Sequence, residues 1–408
     1  MNQPGQPFVD IGSGIGAQLT GKKSLTEVTS HDLRQAVARL EEHLGSVQKL
    51  KVLAAYWQNN SLIGINPGQI AAYRQKLHSL TQEIPSSGGV CQVCGRQGVF
   101  ADANRSWFPL AAGADGDPVT LPNLRGKFIC ADCFRAVVLL PMGCKLCKSG
   151  IYAFHLLDPQ LQVEAVAPGV KAVRDAILSN VSGNAALKTK TRLSGRLELL
   201  EIATQSRLWG ADNDGMLSRR ASNGATILAF SNSGTSAAFH QLNLPATALD
   251  FFGELYRNSE QKDIFLNWAE KSKNTFYDRI CDDIEMRQSI APILAAMVRA
   301  RKEPRLTGEE KNVLKLYEDV ALKKSKRFDA LALIAERVKD MPLRYRASFI
   351  KQLGNTRSKE SFMLLLTDLS KNRDKTNFRL TKEECQIIND SPAGEVISLL
   401  YLLCVADE

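Results

Sequence analysis

Two short stretches, Cys91-Gln-Val-Cys94-Gly95 and Cys130-Ala-Asp-Cys133, decide how this sequence is read. A CxxC pair turns tightly enough to put both sulfurs on one ion, and four thiolates in a tetrahedron suit Zn2+. Gly95, directly after the second cysteine, relieves the turn of a zinc knuckle. The second pair follows the strand-like Lys127-Phe-Ile129 and leads into Phe134–Leu140, an apolar run with a good helix start. A knuckle followed by a CxxC at a helix N-terminus is the treble-clef arrangement, and the helix N-terminus favours thiolates electrostatically. A third pair, Cys144-Lys-Leu-Cys147, lies close behind. The expected ligands are Cys91, Cys94, Cys130 and Cys133, with Cys130, Cys133, Cys144 and Cys147 as the rival set. The expected role is structural, because catalytic zinc sites keep a position open and usually include His or carboxylate ligands. His155 is the nearest histidine. A redox CxxC is the alternative reading.

Working outward, the breaker cluster Pro85-Ser-Ser-Gly-Gly89 opens a cysteine-rich insert over 86–150. The insert interrupts a mixed α/β recognition domain, 1–85 and 151–284, and a helical bundle follows over 285–408. The fold class expected is therefore α+β, with a treble-clef-like zinc segment inserted in the N-terminal domain and an all-α C-terminal part. Leu33, Val37, Leu40, Leu44 and Val47 recur at helical spacing over 31–57, with Ser30 or Asp32 as cap. A second helix is expected from Pro67 to Gln82. Thr226–Phe230 and Ala237–Leu244 read as two strands joined by the turn Ser231–Thr235. Thr307-Gly-Glu-Glu310 reads as a capping box. The glycines at 12, 14 and 16 resemble a phosphate-binding turn, but the preceding strand and the acidic residue that such a fingerprint needs are not in place.

The chain has 408 residues, enough for two or three domains. Hydrophobic content of 44% and charged content of 23% exclude a disordered chain or a coiled-coil rod. Apolar runs such as Ala136–Pro141 and Val396–Val405 fall short of the roughly 20 residues that span a bilayer. The opening residues carry no basic patch followed by an apolar core, so a reducing cytoplasm is expected. Cys281, Cys385 and Cys404 are isolated among apolar residues and read as core. The five histidines form no catalytic or metal-binding pattern, and no phosphate-binding loop of the Walker type occurs. No enzymatic activity is expected.

Lys plus Arg is 52 against 43 Asp plus Glu, a net charge of +9 that suits a polyanionic partner. Lys188, Lys190, Arg192 and Arg196 fall in a loop-rich stretch where side chains reach phosphate. Arg219 and Arg220 precede the strand pair, with Asn223 in the link. Asn232 and Ser233 sit at the expected hairpin tip, where amides and hydroxyls can read base edges. From Arg299 to Lys382 there are 22 basic and 11 acidic residues, which favours a groove for strand backbone. Lys323, Lys324, Lys326, Arg327, Arg344 and Arg346 are its candidates, with Tyr345 and Phe349 interleaved as stacking or core residues.

The opening Pro7-Phe-Val-Asp-Ile-Gly12, then Leu19-Thr-Gly-Lys22 and Leu25–Leu33, together with the two ordered CxxC pairs, resembles a family of CRISPR-associated proteins. That family is the large subunit of type I-B Cascade and its close relatives. The resemblance implies a non-catalytic subunit of an RNA-guided surveillance complex. Such a subunit sits beside the 5′ handle of the guide RNA and reads the motif flanking the target (the PAM) in double-stranded DNA. It also supports R-loop opening and the displaced single strand. It further implies contact with backbone, handle-binding and small subunits, and recruitment of a helicase–nuclease or of transposition proteins. The C-terminal helices resemble the small subunit, which an internal start at Met286 or Met297 would produce separately. The competing readings are a stand-alone zinc-containing nucleic-acid-binding regulator and a metal-dependent nuclease.

Overall fold

The computed structural model describes residues 5–44, 67–84, 87–102, 128–147, 150–179, 225–231, 238–271, 288–372, 376 and 378–406. They fall into two units, Met1–Ala246 and Thr247–Glu408. Most of the described residues are helical, and the second unit has no strands beyond one isolated bridge among its described residues.

The first unit is built around α1, Pro7–Thr20, which the sequence pattern did not mark as a helix. Eleven of its fourteen residues are buried, so it shows no amphipathic stripe to read. Its glycines let neighbours in. A Cβ on Gly12 would stand 1.9 Å from the Ala136 carbonyl oxygen, and one on Gly16 2.8 Å from Leu33 Cδ2. The Gly12/Gly14/Gly16 series is thus a helix-packing device in the core, not a phosphate turn. Around α1 lie α2 (Ser30–His43), α4 (Ala131–Leu139), α5 (Pro159–Leu178) and strand β6 (Gly150–Leu156). Thr29 caps α2 in a capping box with Asp32, one residue earlier than the sequence suggests. Residues 45–57 of the longer helix expected there lie outside the described residues. Helix α3, Pro67–Thr81, packs on α2.

Strands β5 (Lys145–Cys147), β6 (Gly150–Leu156), β7 (Ala225–Ser231) and β8 (Ala238–Leu244) form an antiparallel meander. Its register pairs His155 with Thr226 and Ala225 with Leu244. The strand pair expected around the 231–235 turn is therefore formed, while the tip itself is outside the described residues.

The second unit begins earlier than the boundary expected at 284/285. The reason is aromatic packing. Helices α6 (Ala246–Arg257) and α7 (Ser259–Lys271) deliver Phe251, Phe252 and Phe265, and Phe251 meets Tyr317 edge-on at 5.2 Å between ring centroids. Trp268 Nε1 donates to Glu310 Oε1 at 3.0 Å. The remaining helices are α8 (Ala291–Arg299), α9 (Gly308–Leu316), α10 (Ser325–Lys339), α11 (Leu343–Asn355), α12 (Lys359–Lys371), α13 (Lys382–Asp390) and α14 (Ala393–Cys404). Helix α14 is the hub: Val396 to Cys404 are all buried, and α8, α10, α11 and α12 pack against it. The capping box of Thr307 and Glu310 opens α9 as expected. A π-helical stretch, Tyr317–Ala321, closes α9. No helix among the described residues is long and apolar enough to cross a membrane.

Candidate metal centre

The two CxxC pairs meet in the first unit. Strands β1 (Ser87–Val90) and β2 (Gln97–Val99) pair antiparallel, and Cys91 to Gly95 form the turn between them. Gly95 N–H donates to the Cys91 carbonyl at 2.8 Å, and Cys91 N–H donates to the Arg96 carbonyl at 2.8 Å. Gly95 sits at φ +72°, the left-handed region that a side chain would resist. Strand β3 (Ala101–Asp102) pairs with β4 (Phe128–Ile129), which runs into α4. Cys130 is the N-cap of α4, and Cys133 lies in its first turn.

Cys91 Sγ is 3.8 Å from Cys133 Sγ, and Cys94 Sγ is 3.6 Å from Cys130 Sγ. All four sulfurs lie within 4.8 Å of one another. A tetrahedron with Zn–S bonds of about 2.3 Å has sulfur–sulfur edges of about 3.8 Å, so the set fits a zinc ion. The spacing is far above a disulfide bond of about 2.05 Å. The sulfurs hydrogen-bond to one another. Hydrogen bonds from Cys130 and then Cys133 hold the Cys91 thiol far below its usual range, and the Cys133 hydrogen bond draws Cys94 down to about 7. Cys133 is pushed far up, first by Cys130 and then by Cys91.

The rival ligand Cys144 is placed elsewhere. It is 4% exposed in the apolar core, where burial pushes its thiol pKa up, and it is not among the four clustered sulfurs. Cys147 pairs through its backbone with Gly150 in the sheet. Among the described residues, the four cysteines are the one group of three or more His, Cys, Asp or Glu side chains close enough to share an ion.

The sequence reading overlooked a ring of polar residues behind the cysteines. Asp132, between Cys130 and Cys133, accepts from Ser30 Oγ of α2, from Arg135 Nη1 at 2.9 Å and from Arg96 Nη1 at 3.4 Å. Arg135 is 3% exposed and also donates to the carbonyls of Leu80 and Gln82, each at 2.8 Å. One carboxylate and one guanidinium thereby tie the knuckle, α2, the end of α3 and α4 together. A signal was present: Arg135 is the single charge inside the apolar run 134–140.

The candidate nucleic-acid contacts divide. Lys188, Lys190, Arg192, Arg196, Arg219, Arg220, Asn223, Asn232 and Ser233 lie outside the described residues. Lys323, Lys326 and Arg344 are exposed on the second unit, and Arg344 lies over the Tyr345 ring at 4.5 Å. Lys324 is half-buried, with Nζ 3.5 Å from Glu395. Arg346 is half-buried and donates to the Lys339 carbonyl at 3.0 Å. Arg327 is a correction. It is 4% exposed, its guanidinium is held by Glu318 and Glu395, and it faces no solvent a phosphate could occupy. Burial of so basic a group requires carboxylate partners, and both are internal. Phe349 is buried core, not a stacking platform.

The chain matches no protein-family model, no curated protein and no solved structure.

Proposed function

We propose that this chain is the large subunit of a Cascade-type, RNA-guided DNA-binding complex, stapled by one structural Zn2+ in a treble-clef-like segment. The observation that carries the reading is the closed set of Cys91, Cys94, Cys130 and Cys133, whose two pairs match the order of the resembled family. Four sulfurs and no carboxylate or imidazole leave no position for a reacting water, which favours a staple over a catalytic ion. Zinc supplies fixed charge and tetrahedral geometry here. The residues themselves do the joining: the knuckle and α4 are clamped, with Asp132 and Arg135 orienting the second pair.

In this reading the subunit holds the guide RNA near its 5′ handle, reads the flanking motif in duplex DNA and supports the opened strands. It catalyses nothing and passes the opened target to a helicase–nuclease or to transposition proteins. The exposed Lys323, Lys326 and Arg344 and the net charge of +9 support contact with backbone phosphate.

Co-expression with a guide RNA and the backbone subunits of such a complex tests the proposal. Co-purification of the chain with guide RNA, and PAM-dependent binding of duplex DNA by that assembly, are the expected results. A chain that binds nucleic acid equally well alone, with no association, favours the stand-alone regulator. Divalent-metal-dependent cleavage by the purified chain would overturn the non-catalytic role.

A further inference from the structure

Three arginines of the second unit each hold a buried or half-buried carboxylate: Arg301 with Glu310, Arg327 with Glu318 and Glu395, and Arg337 with Glu384. Two neighbouring arginines do not. Arg299, in the last turn of α8, lays its guanidinium over the Tyr401 ring at 4.6 Å, and its buried Nε has no hydrogen-bond partner among the described residues. Arg357, just beyond α11, donates through Nη1 to the carbonyls of Gly354 and Thr356 at 2.9 and 3.0 Å. Among the described residues neither is paired with a carboxylate.

The two converge on Gly354. A Cβ there would stand 3.4 Å from the Tyr401 ring and 3.9 Å from Arg299 Nε, ordinary contact distances that put Gly354 directly beside Arg299. Their charges repel. The Arg299 pKa is lowered, first by burial, with Tyr401 opposing the shift and the Arg357 charge adding to it. The carbonyls at the helix ends offset part of this, but backbone dipoles are a fraction of a charge. Two guanidiniums beside one glycine, one of them stacked on an aromatic ring and neither paired with a carboxylate among the described residues, suit a tetrahedral oxyanion.

We propose that Arg299, stacked on Tyr401, and Arg357, both beside Gly354, form a binding site for a phosphate group presented by single-stranded nucleic acid. The choice of a nucleic-acid phosphate rests on the reading of the chain as a nucleic-acid-binding subunit. The anion chemistry itself rests only on the four residues.

The test uses the full chain and three variants: Arg357→Gln, Arg299→Gln and Lys371→Gln. Lys371 ends α12, whose first turn follows Arg357, so it lies about 18 Å away along the helix and controls for loss of bulk charge. Binding of a labelled oligothymidylate is measured across a salt series, beside thermal stabilisation by inorganic pyrophosphate. Arg357→Gln should weaken oligonucleotide binding about tenfold and lower the salt slope by about one. Lys371→Gln should weaken it less than about threefold. Circular dichroism checks that Arg299→Gln is folded, and Arg357→Gln stands independently because its side chain is exposed. Equal effects of Arg357→Gln and Lys371→Gln on both probes would overturn the site. Pyrophosphate stabilisation lost in Arg357→Gln, with no oligonucleotide binding by the parent chain, would keep the anion site and overturn the nucleic-acid reading. Oligonucleotide binding that ignores Arg357→Gln would do the reverse.

Discussion

Asp10 and His155, 145 positions apart, meet in the buried centre of the first unit, with His155 Nε2 3.0 Å from Asp10 Oδ2. Asp10 is on the central helix and His155 on β6, so the pair pins helix to sheet. Asp10 is fully buried and His155 is 5% exposed. Removing one partner strands the other in a low-dielectric core. Asp10→Ala should therefore cost about 3–5 kcal/mol of stability. Adding His155→Leu should cost less than the sum of the two single changes, because the orphaned imidazole is gone. Urea denaturation of the four proteins measures this, and a single Asp10→Ala variant within 0.5 kcal/mol of the parent, roughly the noise of an exposed substitution, would sink it.

The metal assignment separates by variant. Cys91→Ser and Cys133→Ser should each lose zinc and soluble yield, since site formation and folding of this segment are coupled. Cys144→Ser should keep its full zinc, because Cys144 packs in the core apart from the four sulfurs. Metal analysis of freshly purified protein decides both. Zinc lost with Cys144 would restore the rival ligand set.

Gly12→Ala tests the packing of α1. Its Cβ would meet a backbone carbonyl at 1.9 Å, which no rotamer change relieves. Overpacking of this kind costs about 1–3 kcal/mol or more. Gly14→Ala meets its nearest atom at 3.3 Å and gains about 1 kcal/mol of helix propensity, so it should be far milder. Thermal melts that rank the two the other way would contradict the close approach.

Acid should weaken the second unit through Glu310 and Glu395. Burial alone would raise each carboxyl, but Arg301 and Trp268 outweigh it at Glu310, and Arg327 does so at Glu395. Both folded pKa values lie below the ordinary 4.5. The stability they contribute is thus present above pH 4.5 and lost as pH falls through the lowered values. Arg301→Gln should flatten that loss in denaturation curves taken at successive pH values. An unchanged acid limb would show that Glu310 does not carry it.

Fragments test the domain cut. A chain from 247 to 408 keeps Phe251, Phe265 and Trp268 against Tyr317 and Glu310, and should fold with a sharp transition. One from 286 exposes that aromatic face and should be less stable or aggregate. One from Met297 begins inside α8 and should fare worse still. A 286–408 fragment as cooperative as the longer one would restore the boundary expected from sequence.

Much of this was legible in the residues. CxxC spacing, the glycine after Cys94 and the apolar run after Cys133 are local signals, and they led to the four clustered sulfurs. The Thr307–Glu310 capping box and the strand pair 226–230 and 237–244 were read the same way, because caps and alternation act within a few residues. The third CxxC looked equivalent to the others on the page and is not equivalent in space.

Sequence by itself determined the CxxC pairs, the capping box at Thr307 and the net charge, since these are read from composition or from neighbours a turn away. Tertiary structure alone decided the rest. It made a helix of the glycine-rich opening, because a helix buried on every side has no periodicity to show. It turned Arg327 inward and gave Arg299 and Arg357 no carboxylate among the described residues, because the sign and burial of a basic residue's surroundings come from segments distant in the chain. It also brought Asp10 to His155, since only packing of α1 on the sheet closes a gap of 145 residues.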